Sequence, residues 1–298
     1  MKKIISVLAV GIFFILVSCG NSYNENRRLS RAEKARLDSI DQAAFKVGVM
    51  PTLDCLPVYV AYEDSLFKTC GVRVHLKYFT AQMDCDTALI NRRVQISISD
   101  LIRAERLRKR GVALSYPIAT NTYWQLVTNR LARIRELHQL SDKMIACTRF
   151  SATDLLADIA IKRGHPRYNV YKIQINDVKI RLEMLINNEM DAMLLTEPQA
   201  TKARLLGSPV LLDSRDMGFH LGVFAFREAD LPERSQQLSA FLKAYDQAVD
   251  SINKHGLQFY GYLITKYCGS DPQTIKALPS LVFTHAQSPR RRDIERAR

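Results

Sequence analysis

The sequence lacks the short motifs that mark most enzymes. It has no P-loop, which argues against a nucleotide hydrolase, and no Gly-rich dinucleotide fingerprint. It has no nucleophile elbow and no HExxH, so neither a hydrolase triad nor a zinc protease is signalled. There is no CxxC pair, and His75, His138, His165, His220, His255 and His285 are scattered rather than set at zinc-ligand spacing. No catalytic residue, metal or cofactor is therefore expected. A His–Asp or Cys–His pair assembled only by the fold is the catalysis these absences leave open. Tryptophan occurs once, as Trp124.

Other features are ordinary. At 298 residues the chain can form one large or two medium domains. Hydrophobic residues make up 47% and charged ones 24%, which excludes disorder throughout. The formal net charge is +13, and part of it is clustered. Arg103, Arg106, Arg108, Lys109 and Arg110 surround one acid, Glu105, and Arg290, Arg291, Arg292, Arg296 and Arg298 lie near the chain end. No DNA-binding motif or aromatic-interleaved basic face accompanies them, so nucleic acid is not the expected partner. A solvated helix face and a frayed basic tail over 281–298 are expected instead.

The N-terminus is built for export. Lys2 and Lys3 precede an apolar run, Ile4 to Val17, that is short for a membrane span. It ends Leu16-Val17-Ser18-Cys19-Gly20, which resembles the bacterial lipobox. That resemblance implies a signal peptide over 1–18 and an acylated Cys19 as membrane tether in the cell envelope, facing the periplasm or the exterior. Residues 19–44 are expected to be a polar tether, in part helical from Ser30. Of the other cysteines, Cys55, Cys70, Cys85, Cys147 and Cys268, a Cys55–Cys85 or Cys70–Cys85 bridge is open to the sequence, as is a set of five small core residues.

The body starts at Phe45. Lys46 to Met50 reads as a buried strand stopped by Pro51. Asp54 is expected to cap a helix carrying Leu56 and Val60, ended by Gly71. Val72, Val74 and Leu76 alternate with polar residues as a strand does. Asp84 or Asp86 is expected to open the next helix, which leads to a strand over Ile96 to Asp100. Strand–helix–strand–helix–strand at this spacing predicts a parallel sheet flanked by helices. Ligands of such sheets bind beyond the strands' carboxyl ends. Here those ends carry Thr52, Asp54, Thr80, Gln82, Ser99 and Asp100.

Several residues in this stretch occur in a familiar order: Val49-Met50-Pro51, then Leu56-Pro57-Val58-Tyr59-Val60-Ala61, Glu63, Leu66-Phe67 and Gly71-Val72-Arg73-Val74. The stretch resembles the first lobe of type II periplasmic solute-binding proteins. The group in question serves ABC importers of aliphatic sulfonates, taurine, nitrate and pyrimidine precursors of thiamine. Thr196-Glu197-Pro198-Gln199-Ala200-Thr201-Lys202-Ala203 resembles the segment these proteins carry at the cleft rim of lobe two. The resemblance implies an α/β, two-lobe periplasmic-binding-protein-like fold (type II), each lobe a mixed, mostly parallel sheet flanked by helices. Lobe one is expected over 45–118 with a return and C-terminal helices over 219–280, and lobe two over 119–218.

A repeat supports two lobes. Leu89-Ile90-Asn91 recurs as Leu185-Ile186-Asn187, an offset of 96 residues, each time before an apolar strand. The family places Gly just past this helix, where Arg92 and Asn188 stand here, and Gln95 replaces its usual Asp. Trp124 is expected near the hinge as a cleft wall. Arg149 and the helix start at Ser151, whose spacing to Asp154 is that of a capping box, are expected to meet the ligand along with Thr196 and Glu197. The ligand's charge stays open: helix amino ends and Arg149 favour an anion, whereas Asp54, Asp100 and Glu197 favour an amine or a neutral pyrimidine. The implied function is capture of a small solute by lobe closure and delivery, by a monomer, to an ABC permease and its ATPase. A lipoprotein sensor on the same fold, or an enzyme of pyrimidine or menaquinone precursor synthesis, are the alternatives.

Overall fold

The computed structural model describes residues 23–298; the signal peptide and Cys19 expected from the sequence lie outside the described residues. The chain divides between Ala44 and Phe45 into two units. Of the first, helix α1 (Tyr23–Ala43) is described, and it is longer than the partial helix expected from Ser30. Among the described residues no helix is long and apolar enough to cross a membrane.

The second unit holds two five-stranded sheets. Sheet one uses β1 (Phe45–Val49), β2 (Val74–Tyr78), β3 (Ile96–Asp100), β4 (Leu114–Ala119) and β10 (Gly222–Arg227), in the order β2-β1-β3-β10-β4. Sheet two uses β5 (Gln125–Thr128), β6 (Met144–Cys147), β7 (Tyr171–Gln174), β8 (Ala192–Leu195) and β9 (Val210–Asp213), in the order β7-β6-β8-β5-β9. In each sheet three strands run parallel and the fourth position is antiparallel to both neighbours. The antiparallel strand is the one that has crossed over: β5 has just left lobe one, and β10 has just returned. Each lobe is therefore a mixed, mostly parallel sheet flanked by helices. Each of β3 and β8 has a strand on both sides and helices over the sheet, and both are buried along their whole length, Ser97 and Ser99 of β3 included.

Helices fill the connections. In lobe one these are α2 (Leu56–Glu63), α3 (Leu66–Thr69), α4 (Gln82–Ile90) and α5 (Leu101–Lys109). In lobe two they are α6 (Ala152–Gly164), α7 (Val178–Ile186) and α8 (Gln199–Leu205). The repeat holds at element level: α4 and α7, like the starts of β3 and β8, are 96 residues apart. Arg92 and Asn188 both adopt the left-handed conformation after these helices, at φ 57° and 61°. Asn tolerates that region better than Arg does.

Three helix starts differ from expectation. Asp54 sits inside a 3-10 turn, Leu53–Cys55, and caps nothing; α2 starts beyond it with Pro57 in its first turn. Helix α4 opens at Gln82 after Ala81, which leaves Asp84 in its first turn and Asp86 buried mid-helix against Arg103. The Ser151 cap is present, accepting from the Thr153 N–H, but Asp154 turns to the Phe150 N–H at 2.7 Å rather than back to Ser151.

After β10 the chain forms α9 (Leu231–His255), the short α10 (Gly261–Leu263) continued by a π-type turn, α11 (Pro272–Lys276) and α12 (Arg291–Ala297). Residues 281–298 are not a frayed tail. Phe283 exchanges hydrogen bonds with Asn253, the Ala119 N–H donates to the Gln287 carbonyl, and α12 packs on α5. Arg290, Arg291 and Arg298 there pair with acids. Arg290 pairs with buried Asp293, and Arg298 reaches buried Glu105 at 3.0 Å, where Tyr116 and Arg108 also donate. A local reading of arginine density cannot find a partner nearly two hundred residues away.

All five described cysteines are free thiols, four of them buried, so neither candidate bridge forms. One core lies under α2 and α9, a second continues from lobe one into lobe two, and a third fills the space under α7 and α8.

Deleting residues 288–298 uncovers Ala104, Leu107 and Phe219 and leaves Glu105 without Arg298. Urea unfolding should show a loss of about 2–5 kcal/mol, the scale of a large core truncation. An unchanged midpoint would show that the segment contributes no packing.

Candidate functional site

The lobes meet where the two halves of the repeat face each other. Ala81 before α4 forms an isolated bridge with Asp177 before α7, positions again 96 apart, and the Val178 N–H donates to the Thr80 carbonyl at 3.1 Å. A second seam joins the turn after β1 to the segment after β8. There the Leu53 N–H donates to the Glu197 carbonyl at 3.0 Å, and the Gln199 side chain donates to the Pro51 carbonyl at 2.8 Å. Lys202 and Asp271 add an ion pair at 2.9 Å. The lobes are thus closed on each other.

Between the seams lies a cavity of about 40 Å³, room for roughly three waters. Its walls join β-strand ends from both lobes, as expected for ligand sites in such sheets. Of the residues singled out from the sequence, Thr52, Asp54, Gln82, Ser99, Trp124 and Thr196 line it. The others stand elsewhere. The Thr80 side chain is exposed, and its carbonyl serves the seam. Arg149 is exposed, with its carbonyl accepting from Arg103. Ser151 is occupied by its cap and by the Thr148 carbonyl. Glu197 is buried and saturated, accepting from Tyr123 at 2.7 Å, Arg204 at 2.8 Å and the Thr201 N–H at 2.9 Å. Asp100 caps α5 through the Arg103 N–H at 3.0 Å.

Sequence reading missed Arg181, Gln199, Thr122 and Thr153, all on the cavity wall. Arg181 had a signal. It lies three residues after Val178 and four before Leu185, so it shares their buried helix face, where a cation is anomalous. Its guanidinium donates to the Leu194 carbonyl at 2.8 Å and to the Thr148 hydroxyl at 3.0 Å, and its Nε–H has no partner. Burial draws its pKa down to about 10, and it remains a cation at neutral pH.

The other wall is complementary. Asp54 Oδ1, Gln199 Oε1 and the Thr122 hydroxyl are shut off from solvent without hydrogen-bond partners. Burial raises the Asp54 pKa. Native interiors rarely leave polar atoms unpaired, and each costs about 1–3 kcal/mol. Four on the wall of one cavity mark a place shaped for a polar guest. Among the described residues no group of three His, Cys, Asp or Glu side chains could hold a metal ion.

Asp100 has a pH consequence. Burial pushes its carboxyl up to about 6, partly offset by the Arg103 N–H and charge and by the Ala152 N–H of lobe two, while Asp86 adds repulsion. An unfolded Asp titrates near 3.9. The folded state therefore binds this proton more tightly, and the group's contribution to stability falls as pH rises from about 4 to 6. Asp100→Asn keeps the capping oxygen and removes the charge. It should raise stability at pH 7.5 by up to about 3 kcal/mol and flatten the profile between pH 4.5 and 6.5 in urea unfolding. A variant less stable than wild type at pH 7.5 would contradict this.

Solved structures share the architecture. The alkanesulfonate-binding protein SsuA from Xanthomonas axonopodis pv. citri, bound to MOPS, superposes with a TM-score of 0.71 at 14% identity, covering 86% of this chain and 90% of its own. The aliphatic sulphonate-binding SsuA from Escherichia coli gives 0.63 at 16% identity over 80% and 84%. The nitrate-binding NrtA from Synechocystis PCC 6803 gives 0.67 at 12% identity over 78% and 68%. At these identities the likeness is one of fold. No curated protein sequence matches the chain. Residues 52–256, which contain most of the two seams and of the cavity wall, match the family described as NMT1/THI5 like, and the chain belongs to that family.

Proposed function

We propose that this protein is an extracytoplasmic solute-binding protein. It would capture a compact polar solute between its lobes, hold it by closure and deliver it to an ABC-type permease. Tethering through an acylated Cys19 would keep the body at the membrane surface. The observation that carries the reading is the cavity between the closed lobes, with unpartnered polar atoms contributed by both of them. A solute touching both walls gains contacts that exist only when the lobes meet, so binding and closure stabilise one another.

The wall chemistry sets the class of solute. Arg181 in lobe two offers an N–H to an acceptor or anionic end. Asp54 Oδ1 in lobe one and Gln199 Oε1 in lobe two offer acceptors to a donor end. One acid and one base face the cavity, and a bare anion would meet Arg181 while leaving Asp54 Oδ1 and Gln199 Oε1 without a donor. A dipolar molecule, with an amino or amide N–H at one end and a carboxylate, sulfonate or carbonyl at the other, meets both walls. The size of the closed space favours few heavy atoms; larger solutes require the lobes to stand further apart.

Calorimetry on the protein lacking residues 1–19 tests this with glycine, taurine, nitrate, bicarbonate and methanesulfonate. Dipolar solutes should bind and the simple anions should bind weakly or not at all. Arg181→Met and Asp54→Asn should each weaken the bound solute by about 10–100-fold, the worth of one hydrogen bond to a charged group. If Arg181→Met does not fold, Thr122→Val gives the same test at lower cost. Tight binding of nitrate and methanesulfonate with indifference to Asp54→Asn would overturn the dipolar assignment and leave solute capture standing.

A further inference from the structure

A second crevice, of about 350 Å³, opens to solvent beside the cavity, between α5 and the loop that starts α6. Its walls also come from both lobes. Arg103, Arg106 and Arg110 project from α5, and Arg149 and Phe150 face them from lobe two. Among the described residues lining it, Asp86 is the only carboxylate, and it is occupied by Arg103 and by the Ser99 hydroxyl. Arg106, Arg110 and Arg149 form no ion pair among the described residues. Burial, with repulsion from Arg110 and Arg103, lowers the Arg106 pKa. The cations are thus gathered without a counter-charge of their own.

The crevice is also held in shape. The Arg106 guanidinium carbon lies over the Phe150 ring, 3.6 Å from its centre, a cation–π contact that ties α5 to lobe two. Phe150 is held with φ 57°, a conformation bulky side chains avoid, by its N–H bond to Asp154 at 2.7 Å. Arg103 donates to the Arg149 carbonyl at 3.2 Å and sets that residue's backbone. Strain of this kind is commonest where a loop presents groups to a ligand.

We propose that this crevice is a second binding site, for a free oxyanion carrying two negative charges, such as phosphate or a phosphate ester, gripped by Arg106, Arg110 and Arg149 across both lobes. Guanidinium forks match tetrahedral oxyanions in pairs of parallel hydrogen bonds. A dianion neutralises charges that otherwise repel, and it bridges α5 to lobe two, so it favours the closed arrangement. The site differs in kind from the central cavity, which is far smaller and sets one acid against its one base. Its success or failure is therefore independent of which solute the cavity takes.

The test is calorimetric titration of the full chain with inorganic phosphate at constant ionic strength set with chloride, since screening would otherwise mimic a loss. Saturable binding is expected, competed by sulfate, and weakened tenfold or more in Arg149→Gln and in Arg106→Gln. Arg130→Gln, an exposed arginine away from the crevice, should bind as wild type does. Thermal unfolding without phosphate checks that each variant folds. Absence of saturable binding, or an equal loss in Arg130→Gln, would overturn the proposal. So would Arg149-dependent flotation on phosphatidylglycerol vesicles without phosphate binding in solution, which would assign the crevice to a lipid surface instead.

Discussion

The closed seam between the lobes is the constraint on which the rest depends. It is made of main-chain groups at equivalent points of a repeat: Ala81 against Asp177, and Val178 to Thr80. Main-chain hydrogen bonds hold whatever the side chains are, so the seam places two helix starts face to face without spending the side chains near them. A second seam from Leu53 to Glu197 and from Gln199 to Pro51 closes the other end. The volume between the seams is small and screened enough from solvent that each unpaired polar atom is costly there.

That cost separates the polar residues into two kinds. Glu197, Arg204 and Tyr123 satisfy one another, as do Glu105, Arg298, Tyr116 and Arg108. They hold the hinge side and the chain end in place. Arg181, Gln199, Thr122 and Asp54 keep atoms unspent. A structure that needed these only for stability would have paired them, because an apolar substitute would remove the penalty. Their retention is the physical reason to read the cavity as a place of binding.

Much of the fold was legible in the sequence because its signals are local. Strand alternation in Val74 to Tyr78, the apolar run at Ile96 and the recurrence of Leu-Ile-Asn at an offset of 96 all report single elements or their copies. The site was legible in part, because strand ends in a parallel sheet gather at one edge wherever the helices go. Thr52, Asp54, Gln82, Ser99, Trp124 and Thr196 came from that rule or from the likeness of motifs, and all lie on the cavity wall. The misreadings have one cause. Whether Asp54 caps a helix or enters a turn depends on Leu53, whose N–H is taken by a carbonyl of the other lobe. Whether arginines at the chain end fray or pack depends on Glu105 in the first lobe.

By itself the sequence determined the elements, the two-lobe repeat and which polar residues stand at strand ends, since these follow from backbone periodicity and side-chain polarity over short spans. Only the tertiary structure decided which of those polar atoms remain unpaired. Hydrogen-bond saturation is a property of neighbours in space. Glu197 and Asp54 look alike as acids near strand ends, yet one is surrounded by donors and the other keeps an oxygen unpaired on the cavity wall.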